Sequence, residues 1–186
     1  MATFQQTLEF VENSAVFKKL KQEHPDIELV AGFFILDFLS NDNKDSLDYK
    51  LPEGKGDVIY TFELDKNKEV VLKEDKLIGE NFSNQPKLTS IQSNINNIKI
   101  DLNEIPSLTQ KQAEQNKITS KFHKIIAVLQ NYKQNSENSE DNKQELVWNL
   151  TCMLDQLIIL HILINAETKE IIKFERKSMM DFIKKK

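Results

Sequence analysis

Arginine is almost missing from this chain. Of its 25 Lys and Arg residues, 24 are Lys and one, Arg176, is Arg. Bidentate recognition of phosphate or carboxylate favours the planar guanidinium fork, which an ammonium cannot reproduce. Net charge is −4 and the pI is near 5.5. Binding driven by counterion release from nucleic acid, or by attraction to anionic lipid, is therefore not expected.

Cysteine is as scarce. Cys152 stands alone, so an intramolecular disulfide and a Cys-based metal cluster are both excluded. It lies in the apolar stretch NLTCML and reads as a buried structural thiol. The glycines Gly32, Gly54, Gly56 and Gly79 form no phosphate-cradling loop, and GKG at 54–56 lacks the rest of a Walker motif. No G-x-S-x-G occurs. The histidines His24, His123 and His161 show no metal-ligand spacing. Neither a cofactor nor a metal is expected. Long apolar runs are missing too: LIILHILI (157–164) is interrupted by His161 and too short to span a bilayer, so no membrane role is expected. MATFQQTLEFVENS has neither the basic nor the apolar region of a secretory signal, and the expectation is a cytoplasmic protein.

What the sequence does carry is packing material. Apolar residues make up 39% of 186 residues and include 11 Phe, enough for one ordinary domain or two small ones. Phe4, Leu8, Val11, Ala15 and Leu20 recur near helical spacing and predict a helix over 3–23, ended by Pro25. IELVAGFFILDFLS (27–40) reads as a strand buried on both faces or central in a sheet. SLDYKLP, DVIYTFELD and EVVLKED follow as strands separated by turns. IKIDL (98–102) alternates like an edge strand. Ile118, Phe122, Ile125, Ile126, Leu129 and Tyr132 predict a second helix over 108–133, with Ser107 as N-cap. QNSENSEDNKQ (134–144) reads as a polar surface loop. ELVWNLTCML, QLIILHILIN and KEIIKFERK read as three strands, and SMMDFIKKK as a short closing helix.

The two halves read alike. Leu64-Asp65 matches Ile164-Asn165, and KEVVLKE (68–74) matches KEIIKFE (169–175). The expected fold class is α+β, with two tandem helix-on-antiparallel-sheet modules, 1–97 and 98–186, arising by internal duplication and packed against each other. VWNLTCML followed by LHILINAETKEIIKF resembles the PepSY-type module of cystatin-like shape, in which a Trp-containing strand precedes a strand ending in I-D-x-x-T-G-x-I. Trp148 fits the first part and 164–172 the second. Asn165 stands where that family usually has Asp, and Lys169 where it usually has Gly. The resemblance implies a binding or inhibitory domain rather than a catalyst. The whole chain, including AGFFILDF and DFIKKK, is also similar to uncharacterised proteins of small-genome archaea, which implies no function.

The acid pairs in ELD (63–65), KED (73–75) and SED (139–141) read as solvated charge. Aromatics are the better candidates. Phe33, Phe34, Tyr60 and Phe62, with Trp148 and His161, are the expected ligand-binding residues. Phe33 and Phe34 must point to opposite faces of their strand, so one of them needs a cover other than the first helix. The leading expectation is a non-enzymatic interaction module taking a peptide, a protein (a second copy included) or an apolar molecule, at a sheet edge or an aromatic groove. The alternative is a small enzyme assembled from dispersed residues around His161, Glu63 and Tyr60.

Overall fold

The computed structural model describes residues 3–52, 58–65, 67–76, 88–133 and 144–178. Three α-helices and eight strands lie within them.

Phe4–Asn13 form α1 and Ala15–Glu23 form α2. The expected single helix is broken at Ser14, whose backbone is extended (φ −66°, ψ 149°). The cause is local. Ser14 Oγ accepts from Phe17 N at 3.1 Å and so caps a new helix. Upstream, Thr3 and Gln6 start α1 with a reciprocal capping box.

An antiparallel meander follows: β1 (Glu28–Asp37), β2 (Lys44–Lys50), β3 (Val58–Leu64) and β4 (Val70–Lys76). Helix α3 (Ile105–Gln115) then precedes a second meander: β5 (Phe122–Lys133), β6 (Gln144–Leu154), β7 (Ile158–Asn165) and β8 (Ile171–Ser178). β1 pairs antiparallel with β5, from Ala31↔Gln130 to Asp37↔Lys124. The result is one eight-stranded sheet, ordered β4-β3-β2-β1-β5-β6-β7-β8. The halves thus meet edge to edge within one sheet, and the expected boundary at 97/98 falls in the connection between β4 and α3.

Two expectations fail here. The helix expected over 108–133 is α3 plus β5. Ile125, Ala127 and Leu129 alternate into the core, while the β-branched Ile126 and Val128 take the other face. Helical spacing fits the same apolar residues, but pairing with β1 and β6 on both sides decides the outcome. The stop signal is Lys117 at φ 59°, with Ile118 N donating to Ala113 O and Lys117 N to Glu114 O. IKIDL is not a strand either. Its Ile100 and Leu102 are fully buried, and Ile100 O accepts from Trp148 Nε1 at 2.9 Å. The expected turn at 54–56, the loop at 134–143 and the closing helix beyond Ser178 lie outside the described residues.

One core lies between the helices and one face of the sheet. Its centre is aromatic: Phe4 of α1, Phe34 of β1 and Trp148 of β6 meet edge to face, with ring centroids 5.9–6.5 Å apart. Such pairs contribute about 0.5–1.5 kcal/mol each beyond burial. Phe17 of α2 packs on Tyr49 and Phe62 at 4.9 and 5.3 Å.

The two strand-ending turns share a design. Asp65 Oδ1 accepts from Asn67 N and Glu69 N, and Asn165 Oδ1 accepts from Glu167 N and Thr168 N. Each turn then places a lysine in the left-handed region, Lys68 at φ 63° and Lys169 at φ 69°.

Two stability changes follow. At Gly32, an added Cβ would lie 2.8 Å from the Phe34 ring and 3.3 Å from Phe4. Gly32→Ala should destabilise the protein by about 1–3 kcal/mol in urea unfolding. Lys169→Gly should do the opposite, by about 1 kcal/mol, because glycine adopts that φ without steric cost. The exposed Lys169–Glu104 pair that it removes (3.1 Å) contributes little.

Candidate functional site

Side chains of paired residues share a face, so the strand register sorts every candidate. Phe34, Tyr60, Phe62 and Trp148 all point toward the helices and are buried. They belong to the core. Phe33 and His161 point the other way, to a face that none of the three helices covers. Phe33 and Phe34 do separate as strand alternation requires.

The open face is apolar at its centre. Phe33 and Ile35 of β1 lie beside Val128 and Ile126 of β5, half-buried. Ala31, Val147 and Leu163 are buried yet stand outside the core cluster, on this same face. Met153, 40% exposed, extends the patch along β6. Phe33 also walls a pocket of about 240 Å³ with Lys44, Ser46 and Glu63.

The ion pairs on this face sit toward its margins. Lys73 meets Glu63 at 2.7 Å on the β4 side, and Lys173 meets Glu175 at 2.9 Å on the β8 side. Lys124 meets Asp37 at 3.2 Å at one end of the β1–β5 seam. Backbone N–H groups of Leu39 and Ser40 also donate to Asp37, and with the Ser40 bonds leading they hold its carboxyl well below the usual range. Thr61 Oγ1 donates to Asp48 Oδ1 at 2.7 Å.

His161 lies between Thr151, whose Oγ1 is 3.3 Å from Nδ1, and Glu175 on β8. Partial desolvation, then Lys177, lowers its pKa; Glu175 opposes and Lys173 adds to the lowering. Among the described residues, the expected catalytic partners do not gather around it. Tyr60 is on the opposite face, and Glu63 is on β3, five strand spacings or roughly 24 Å from β7. His123, expected on a helix, is on β5 and contacts the Asp155 carboxylate. His24 is the residue capping the C-terminal end of α2, its ring 5.8 Å from that of Tyr60. Burial pushes the Cys152 thiol up to about 12, far from a reactive thiolate. Among the described residues, no group of three or more His, Cys, Asp or Glu could hold a metal ion. Among them, too, no helix is long and apolar enough to cross a membrane.

No family model matches the chain, and no curated protein matches it. Among solved structures it is similar to the 1.85 Å crystal structure of a candidate lipoprotein from Clostridium difficile 630. The two share 14% identity over 87% of this chain and 90% of that one, with a TM-score of 0.51. At that identity the likeness is one of fold.

A proton on His161 is disfavoured in the folded state, so unfolding takes one up. Stability should fall as pH drops below about 6.5, the unfolded value. His161→Gln should flatten that part of a Tm-against-pH profile; an unchanged slope would assign it to other groups.

Proposed function

We propose that this chain is a non-enzymatic interaction module that docks a protein partner on the open face of its sheet. One observation carries the reading: an apolar centre of Phe33, Ile35, Ile126 and Val128, rimmed by ion pairs that are already satisfied. A charge-poor centre inside a polar rim is the anatomy of protein interfaces. Asn149 and Thr151, interleaved with Val147 and Met153, suit a protein surface better than a lipid one. The face is favoured over the edges. Edge strand β8 carries Lys173, Glu175, Arg176 and Lys177, and edge strand β4 carries Lys73, charges that discourage strand addition. A second copy of the chain is one candidate partner.

We also read the two halves as copies of one helix-and-meander unit, of the PepSY-type kind. The support is the repeated element order and the pair of side-chain-capped turns with left-handed lysines at Lys68 and Lys169.

A photo-crosslinking residue at position 126 tests the docking face against one at position 111, on the exposed side of α3. In cells, position 126 should yield a discrete protein adduct and position 111 none. Phe33→Ser should abolish the adduct while leaving the Tm within a few degrees. An adduct of twice the chain's mass would name a second copy as the partner. Equal adducts from both positions, or none from 126, would overturn the reading.

A further inference from the structure

The strand register arranges the open face in rungs that cross the whole sheet. One rung is centred on Phe33 and Val128, paired across the β1–β5 seam. A polar residue flanks them on each side, Ser46 on β2 and Asn149 on β6. Farther out, each end holds one apolar residue and one charge. These are Val71 with Glu63 on the β4 side, and Leu163 with Lys173 on the β8 side. The two ends of the rung therefore carry opposite signs. The adjacent rung does so too, with the signs exchanged. Ile35 and Ile126 meet at its seam, Lys44 lies on β2, and Glu175 lies on β8.

Such a pattern is complementary to itself. A two-fold axis along the seam, parallel to the strands, lays β1 of one copy over β5 of the other. Phe33 then faces the other copy's Val128, and Ser46 faces its Asn149. β3 lies over β7, so Glu63 is displaced sideways from the other copy's Lys173 by one strand spacing, about 4.8 Å. Packed sheets stand about 10 Å apart, a gap that these two long side chains close from opposite sides. An isologous contact sets each patch against itself, so a patch of one sign would repel its copy. Here Lys73–Glu63, Lys124–Asp37 and Lys173–Glu175 are each neutral as pairs, although the chain carries −4. The size fits as well. The six strands from β3 to β7 in the sheet, at the seven-residue length of β2 and β3, present roughly 650 Å² in plan. Stable interfaces bury about 600–1,000 Å² per partner.

We propose that the partner of the open face is a second copy of this chain, packed sheet to sheet in an isologous dimer with the helices outermost. This inference rests on the docking reading and names its partner.

Sedimentation equilibrium of the full chain is the test. The mass should rise with concentration from 21.7 kDa toward twice that value. Glu63→Lys sets lysine against Lys173 at both symmetric places and should weaken the dimer about fivefold or more at low salt. Lys173→Glu should do the same with two carboxylates. Both substitutions together restore unlike charges and should recover the parent's affinity. The two side chains are 46% and 55% exposed, so neither change disturbs the core. A monomer at every concentration, a dimer that ignores both single swaps, or one that the double swap leaves weakened would each overturn the proposal. A monomer that still gives a discrete adduct of another mass from position 126 would remove the second copy and keep the docking face. Loss of that adduct would remove the docking face itself.

Discussion

The antiparallel pairing of β1 with β5 is the constraint on which the rest of this structure depends. Each strand opens its own meander, so each would otherwise present an unpaired row of N–H and C=O groups. Joining them satisfies both rows at once. It also explains why β1 is apolar on both faces: Phe34 and Leu36 point under the helices, while Phe33 and Ile35 sit at the middle of an eight-strand surface. The Phe4–Phe34–Trp148 cluster bridges the seam from the helix side, because its rings come from α1, β1 and β6. At one end, Phe38 N donates to His123 O, and Lys124 pairs with Asp37. The halves are therefore one cooperative unit despite their repeated order.

Much of the sheet was legible because strand alternation is a local property. Tyr60 and Phe62 against Ile59 and Thr61, or Trp148 and Leu150 against Asn149 and Thr151, announce a two-faced strand from the residues alone. β5 was not legible by that route. Ile125, Ile126 and Leu129 satisfy both periods, and only the presence of strands on either side selects the extended form. The break at Ser14 was legible in principle, since a serine before Ala-Val-Phe can cap a new helix, but an uninterrupted apolar stripe masked it. The candidate site divided for a similar reason. Aromatic content marks residues that bury large area, and burial in the core is the commonest way to do so. Phe33 and His161 differ from Phe34, Tyr60, Phe62 and Trp148 only in facing, which needs the register of all eight strands and the side that the helices take.

The two side-chain-capped turns deepen the reading of the repeat. A lysine at φ 63° and another at φ 69° is a steric cost borne twice at the corresponding place. Asp65 accepts from the backbone N–H groups two and four residues on and Asn165 from those two and three residues on, so either a carboxylate or an amide oxygen can hold such a turn. The shared element is thus a conformation held by a side-chain oxygen, which identity of residues alone would miss.

Strand β2 contributes to both faces of the sheet. Tyr49 points toward the helices, while its neighbours Asp48 and Lys50 point to the open face. On that open face, Phe33, Ile126 and Val128 have backbones fixed by the β1–β5 seam. Coupling between the two would require β2 to shift relative to β1. Their register runs from Glu28↔Lys50 to Ile35↔Lys44, with one irregularity between Leu29 and Ala31, where Leu29 faces Tyr49 and Ala31 faces Asp48. That bulge is the natural point of give, because its extra residue already interrupts the ladder. Elsewhere the paired strands resist displacement, so the default physical expectation is that the two faces respond independently.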